Sequence, residues 1–233
     1  MTTRIESVTT ADGVMPGHVW LPEGGRGPGL LLLQEIFGVS SYIRRRAADL
    51  AAAGYVVLAP ELYWRLDRQG VDEAADDAVE QAMALAGQLD PVSTVADAVA
   101  GFGHLAGVDE VRGTPGVIGF CLGGGLGFAV AAETEPAALV SYYGSALPTL
   151  LDLAPRVTCP SLHHFGTADD YLPMDAVATI TEAVTADGRP AQVELYDGAN
   201  HAFDNDDFFL HHPDAAGRAW ASTLEFLRRH LPV

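Results

Sequence analysis

The sequence is short of cysteine and of positive charge. Only two cysteines, Cys121 and Cys159, occur in 233 residues, so no disulfide framework staples the chain. Thirteen basic residues face 31 acidic ones, a formal net charge of −18. Nucleic acid and anionic membrane surfaces both require positive charge on their partner, so the balance argues against either. The acids are spread along the chain rather than gathered in a tail, as on a solvated surface. No run of about 18 apolar residues suggests a membrane span, and Met1-Thr2-Thr3-Arg4-Ile5-Glu6 lacks the apolar stretch of a secretory signal. Internal repeats, low-complexity tracts and clear linkers are missing as well. Together these absences lead to the expectation of a cytoplasmic protein, a monomer or small homo-oligomer, in which a free thiol persists.

What is present is apolar and alternating. The chain is 48% hydrophobic and 19% charged, enough to bury one large core, and a single α/β domain over residues 1–233 is expected. Leu30–Leu33, Tyr55–Ala59, Gly116–Gly119, Ala138–Tyr142, Leu162–Phe165 and Gln192–Tyr196 read as strands. Their near-continuous hydrophobicity indicates a sheet covered on both faces. Helices are expected over Ile43–Ala53, Asp72–Leu89, Ser93–Leu105, Gly124–Ala132, Met174–Thr185 and Pro213–His230. Such alternation makes a mostly parallel, doubly wound sheet. Thr3–Val8 and Val14–Trp20 flank Asp12-Gly13 and read as an antiparallel edge hairpin. The remaining loops leave no room for a large lid domain.

Gly119-Phe120-Cys121-Leu122-Gly123-Gly124 lies between an apolar strand and a small-residue helix. The pattern is Gly-x-nucleophile-x-Gly with cysteine at its centre, the strained strand-to-helix turn that pushes a nucleophile outward. Small neighbours permit the sharp bend. The following helix aims free N–H groups at the same spot, which favours a thiolate and a developing oxyanion. A buried structural cysteine is the plain alternative for this motif taken alone.

Two further motifs follow later strands: Gly166-Thr167-Ala168-Asp169-Asp170-Tyr171-Leu172-Pro173, and Gly198-Ala199-Asn200-His201-Ala202-Phe203. Ligands of open α/β sheets bind at such strand ends, and the order nucleophile, acid, histidine is that of α/β-hydrolases. A thiol is mostly protonated at neutral pH, so His201 is suited to take its proton. A carboxylate must then hold the imidazole in one tautomer. Asp169 is the better candidate and Asp170 the fallback. The last motif is Gln34-Glu35-Ile36-Phe37-Gly38, after the Leu30–Leu33 strand. Glu35 leaves an apolar strand and needs a partner, either the Cys121 thiol or another charge. The backbones of Ile36 and Leu122 are the candidate oxyanion-hole donors.

With these motifs, and with Ala59-Pro60-Glu61-Leu62-Tyr63 and Tyr142-Tyr143-Gly144, the chain resembles the dienelactone hydrolase family over nearly its whole length. The resemblance implies an α/β-hydrolase fold, a Cys121–His201–Asp169 triad and a Glu35 that interacts with the resting thiol and helps switch it on. It implies hydrolysis of a small ester or lactone through a thioester acyl-enzyme, with no metal or organic cofactor. One departure bears on substrate. Family members acting on chlorocatechol products clamp a carboxylate with two arginines. Here Val79 precedes Glu80-Gln81-Ala82, and no arginine occurs between Gln69 and Glu110. The second clamp position falls on Asn205, followed by Asp206 and Asp207. Anions are repelled rather than clamped. Met83 and Ala86 stand where the family carries aromatics, which implies a roomier, less polar pocket. Phe37, Met83, Tyr143 and Phe203 are the candidate substrate-lining residues.

Other residues carry weaker signals. His163 and His164 are adjacent on a strand and point to opposite faces, so they cannot share a metal. Cys159 is expected to be an inert small residue, and His211-His212 to lie on the surface. Arg44, Arg45 and Arg46 read as a solvated helix face, while Arg65 and Arg68 are weaker candidates for substrate contact. Two alternative functions stand beside ester or lactone hydrolysis by a Cys–His–Asp enzyme. One is a retired α/β-hydrolase that binds a small apolar ligand; the other is a general carboxylesterase or thioesterase. No motif residue is missing, which argues against the first.

Overall fold

Leu30 to Leu33 have no polar face, and the strand that contains them is buried from end to end. That burial pattern belongs to the interior of a two-sided sheet. The structure, a computed structural model, describes residues 2–66, 68, 70–73 and 75–233. The chain divides into two compact units, one running up to Gly116 with Val233, the other Val117–Pro232.

In the first unit, β1 (Thr2–Thr9) and β2 (Val14–Leu21) form the expected hairpin, in register from Thr2 opposite Leu21 to Thr9 opposite Val14. Its turn is closed by the Thr10 N–H donating to the Gly13 carbonyl at 2.9 Å. β2 continues antiparallel onto β4 (Val56–Pro60), which pairs in parallel with β3 (Gly29–Leu33). Helix α1 (Ser41–Ala52) packs on β4 and β2, and α3 (Pro91–Ala106) on β3, β1 and β4. Asp90 caps α3, its carboxylate accepting from Ser93 N–H at 2.8 Å, and Pro91 stands where a missing N–H costs nothing. Between them α2 covers only Ala78–Ala86, not Asp72–Leu89. Asp72 with Asp76, and Glu73 with Asp77, would be like-charge pairs four residues apart on a helix, and such pairs oppose helix formation. Ala74 lies outside the described residues.

In the second unit, β5 (Gly116–Phe120), β6 (Leu139–Tyr142), β7 (Ser161–Gly166) and β8 (Ala191–Tyr196) pair in parallel in chain order. Helix α4 (Leu122–Thr134) follows β5, α5 (Met174–Thr185) follows β7, and α6 (Pro213–His230) follows β8. Residues Gly123 to Ala132 of α4 are all buried, as a helix apolar on every side must be. The α/β class read from the sequence is the class the chain adopts, and among the described residues no large lid interrupts it.

The core of this unit also holds polar groups, and those around His164 form a bonded chain, whereas the buried His163 Nδ1 has no hydrogen-bond partner. His164 Nδ1 meets Tyr196 Oη at 2.8 Å and its Nε2 meets Thr223 Oγ1 at 2.9 Å. Tyr196 donates to Glu194 at 2.6 Å, and a carboxylate only accepts. His164 Nδ1 therefore carries the proton, and Thr223 donates to Nε2. Tyr142 Oη, 2.7 Å from Thr223 Oγ1, supplies the hydroxyl that Thr223 accepts. Burial lowers His164 to about 3 and His163 to about 4, so both rings are neutral.

Candidate active site

Three parallel strands end at the site, and each hands on one chemical group. After β5 the backbone turns at Cys121 with φ 52° and ψ −111°, a conformation L-residues rarely hold and one that costs roughly 1–3 kcal/mol. The turn is fixed by the Cys121 N–H donating to the Tyr142 carbonyl at 3.0 Å and by the Cys121 carbonyl accepting from Gly124 at 3.0 Å. A Cβ on Gly119 would stand 2.0 Å from the Gly123 carbonyl oxygen, so no larger residue fits that bend. Leu122 begins α4, and its N–H is one of the four a helix leaves without an intrahelical partner.

His201 Nε2 lies 3.1 Å from Cys121 Sγ, and His201 Nδ1 lies 2.8 Å from Asp169 Oδ2. The second carboxylate oxygen, Asp169 Oδ1, accepts from the Tyr171 and Leu172 N–H groups at 2.8 and 2.9 Å. All three residues are buried, at 8%, 6% and 5% exposure for Cys121, His201 and Asp169. Asp170 faces away, its carboxylate accepting from the Asn200 side chain at 2.8 Å, so the carboxylate on the imidazole is Asp169 and not the fallback.

The loops after β7 and β8 are tied to one another. Asn200 Oδ1 accepts from the Asp170 and His201 N–H groups at 3.1 and 2.6 Å. Ala168 N–H donates to the Ala199 carbonyl at 2.9 Å. A Cβ on Gly166 would come within 2.1 Å of that same carbonyl oxygen, so the two loops approach as closely as backbones can.

The electrostatics follow from the contacts. Burial pulls His201 downward, but its contacts with the Cys121 sulfur and the Asp169 carboxylate outweigh it and push the imidazole up to about 10. Burial raises Asp169, yet the His201 contact and the two backbone N–H groups hold it below the ordinary carboxylate range. Cys159, buried with no such partner in its environment, is pushed up to about 11. Of five non-glycine residues with positive φ among those described, Cys121, Tyr143 and Ala202 belong to this site.

The aromatic surroundings were only partly anticipated. Tyr143 and Phe203 are fully buried and pack edge to face at 5.3 Å, with the Tyr143 ring 5.1 Å from His201. Tyr143 thus packs beside the imidazole, and Phe203 packs on Tyr143. Tyr171, part of the Gly166–Pro173 motif but not among the candidate site residues, also places its ring 5.1 Å from His201. Ser145 Oγ lies 3.9 Å from the sulfur. The signal for Tyr171 was its position two residues after Asp169, in the turn that must wrap a carboxylate.

In the first unit, Glu35 and Phe37 are buried in a tight loop closed by a Glu35–Gly38 bridge. Tyr63 donates to the Ile36 carbonyl at 2.7 Å. Met83 is half exposed on α2. Arg65 is engaged structurally: it pairs with Asp97 through two bonds of 2.9 and 2.8 Å and with Asp12 at 2.9 Å. That corrects its reading as a substrate contact, because two carboxylates already take the guanidinium. Arg68 donates to Gln81 at 2.9 Å. Asn205, at the second clamp position, is fully buried. Among the described residues no three His, Cys, Asp or Glu side chains gather as metal ligands would, and no helix is long and apolar enough to cross a membrane.

A thiol, an imidazole and a carboxylate in series at the ends of parallel strands define an α/β-hydrolase. The model of the dienelactone hydrolase family matches residues 15–231. The carboxymethylenebutenolidase of Pseudomonas sp. strain P51 is 37% identical over 223 residues, covering 95% of this chain and 92% of that protein. The carboxymethylenebutenolidase of Pseudomonas putida is 32% identical over 229 residues, 97% of each. The crystal structure of a Klebsiella pneumoniae subsp. pneumoniae protein superposes with a TM-score of 0.85 at 26% identity, covering 98% of both chains. The chain belongs to the dienelactone hydrolase family and is a hydrolase of that type.

Proposed function

We propose that this hydrolase cleaves a small, uncharged carboxylic ester or lactone through a Cys121–His201–Asp169 triad and a thioester intermediate. The observation that carries the reading is the unbroken series Sγ–Nε2 at 3.1 Å and Nδ1–Oδ2 at 2.8 Å. Asp169 accepts the Nδ1 proton and fixes the tautomer. As the Cys121 proton passes to His201 Nε2, the sulfur attacks the carbonyl carbon, and the displaced electron pair collects on oxygen. The Leu122 N–H at the head of α4, with that of Ile36, is the proposed donor pair for this oxyanion. Collapse of the adduct breaks the C–O bond, and the leaving oxygen, on a free alcohol or still tethered when the substrate is a lactone, takes the His201 proton. Water, deprotonated by His201, then releases the acid and restores the thiol.

Glu35 is proposed to gate the resting thiol, with Phe37 and Met83 contributing to the pocket and Tyr143 and Phe203 shaping it from behind. The whole of 1–233 is proposed to work as one domain, supported by a single family match running over 15–231. The relatives' name, carboxymethylenebutenolidase, speaks for a lactone. The missing arginine clamp and the buried Asn205 speak for a neutral one. In the test, wild type hydrolyses neutral aryl esters and lactones, and Cys121→Ala lowers kcat by at least about a thousandfold with the fold retained. Wild-type turnover in that variant would falsify the nucleophile assignment.

A further inference from the structure

The leaving group of the proposed reaction has to meet one particular nitrogen, and an exposed aromatic side chain stands beside the imidazole that carries it. His201 Nε2 gives its proton to the departing oxygen, so the substituent on that oxygen lies along the imidazole. Two rings flank His201 at 5.1 Å, Tyr143 tilted by 58° and Tyr171 by 59°. Tyr143 is 0% exposed and Tyr171 is 57% exposed. Of these two rings, Tyr171 is the one open to an incoming molecule. Its place is also set: its own N–H donates to Asp169 Oδ1 at 2.8 Å, which anchors the backbone of the ring to the carboxylate that orients His201.

The geometry points to Tyr171 as the residue that sets leaving-group specificity, selecting open-chain esters whose leaving oxygen carries a planar aryl group. This inference rests on the triad reading and adds a specificity-determining residue to it. In the acylation step the sulfur lone pair forms the S–C bond. The carbonyl π pair moves to oxygen and returns as the C–O bond breaks. The leaving oxygen keeps that bonding pair and takes the Nε2 proton. A flat π system on the oxygen stacks offset or edge-on against the phenol ring, whereas an alkyl group presents no π face. With an open-chain ester the leaving group is gone once the thioester has formed. Tyr171 therefore acts on acylation and leaves the second step untouched.

The test compares two acetates with the full-length protein, phenyl acetate and trifluoroethyl acetate. Both give the same acetyl-enzyme, and both leaving groups are activated. Tyr171→Ala is expected to lower kcat/KM for phenyl acetate roughly three- to tenfold more than for trifluoroethyl acetate. Tyr171→Phe is expected to keep the wild-type ratio. Pre-steady-state deacylation should be the same in all three proteins. Equal losses on both acetates, or a slower deacylation, overturn the inference and assign Tyr171 to the support of Asp169 alone. A Cys121→Ala control separates this from failure of the triad reading: hydrolysis that survives in it overturns both, as does a wild type that turns over neither acetate.

Discussion

Asp169 divides its two oxygens between backbone and imidazole, and this division makes a sharp prediction. Asparagine can keep the oxygen that accepts from Tyr171 and Leu172, but it then turns an NH2 toward Nδ1. The imidazole must accept there, so its remaining proton moves to Nε2 and faces the sulfur. Asp169→Asn should lower kcat by about 10⁴, with thermal stability nearly unchanged, as steady-state kinetics beside a melting curve would show. This pairing was legible in the sequence, because acid and base each sit a few residues beyond an apolar strand. The choice of Asp169 over its neighbour was not legible: it depends on Asn200 holding Asp170 away through a bond across two loops. Arg65 was misread for the same reason, since its partners Asp97 and Asp12 lie far away in the chain.

At the level of elements, the close approach of the β7 and β8 loops should be intolerant of any added atom. The Cβ of Gly166→Ala would meet a backbone oxygen, which has no rotamer to move to. The variant should lose about 1–3 kcal/mol of stability and should lose hydrolysis as well, because the loop that shifts carries either the acid or the base. Denaturant unfolding with parallel kinetics tests it, and wild-type values in both would sink the argument. Strands and most helices could be read from the sequence because buried parallel strands are continuous apolar runs and the helices between them, the apolar α4 aside, are amphipathic. The start of α2 could not, because the periodicity of Asp72–Leu89 hid a charge repulsion. The His18–Glu61 contact of 2.5 Å has no local signature either, arising where β2 lies against β4.

Across the whole molecule, buried histidines with opposite shifts bound the stability from both sides. His163 and His164 are held low by burial, at about 4 and about 3. Below pH 6.5 the unfolded chain takes protons that these native rings refuse, so stability is lost as pH falls through about 4 to 3. His201 is held high, at about 10. Its contribution is complete below pH 6.5 and is lost as pH rises toward about 10. Unfolding free energy should therefore peak near neutral pH, around 6.5, and decline in both directions. Denaturant midpoints from pH 4 to pH 10 would check this, and a curve rising steadily from 6.5 to 10 would contradict the His201 assignment. The net charge of −18 was readable from composition, but this profile depends on burial that only the folded chain reveals.

Because Asn200 and Ala199 bind the acid-bearing and base-bearing loops to each other, Asp169 and His201 travel together, while the sulfur is mounted separately at the head of α4. Any breathing of this unit thus stretches a single link, sulfur to imidazole, and leaves the other intact. A bulky acyl group that wedges the elbow aside would slow its own attack without disarming the base that later admits water.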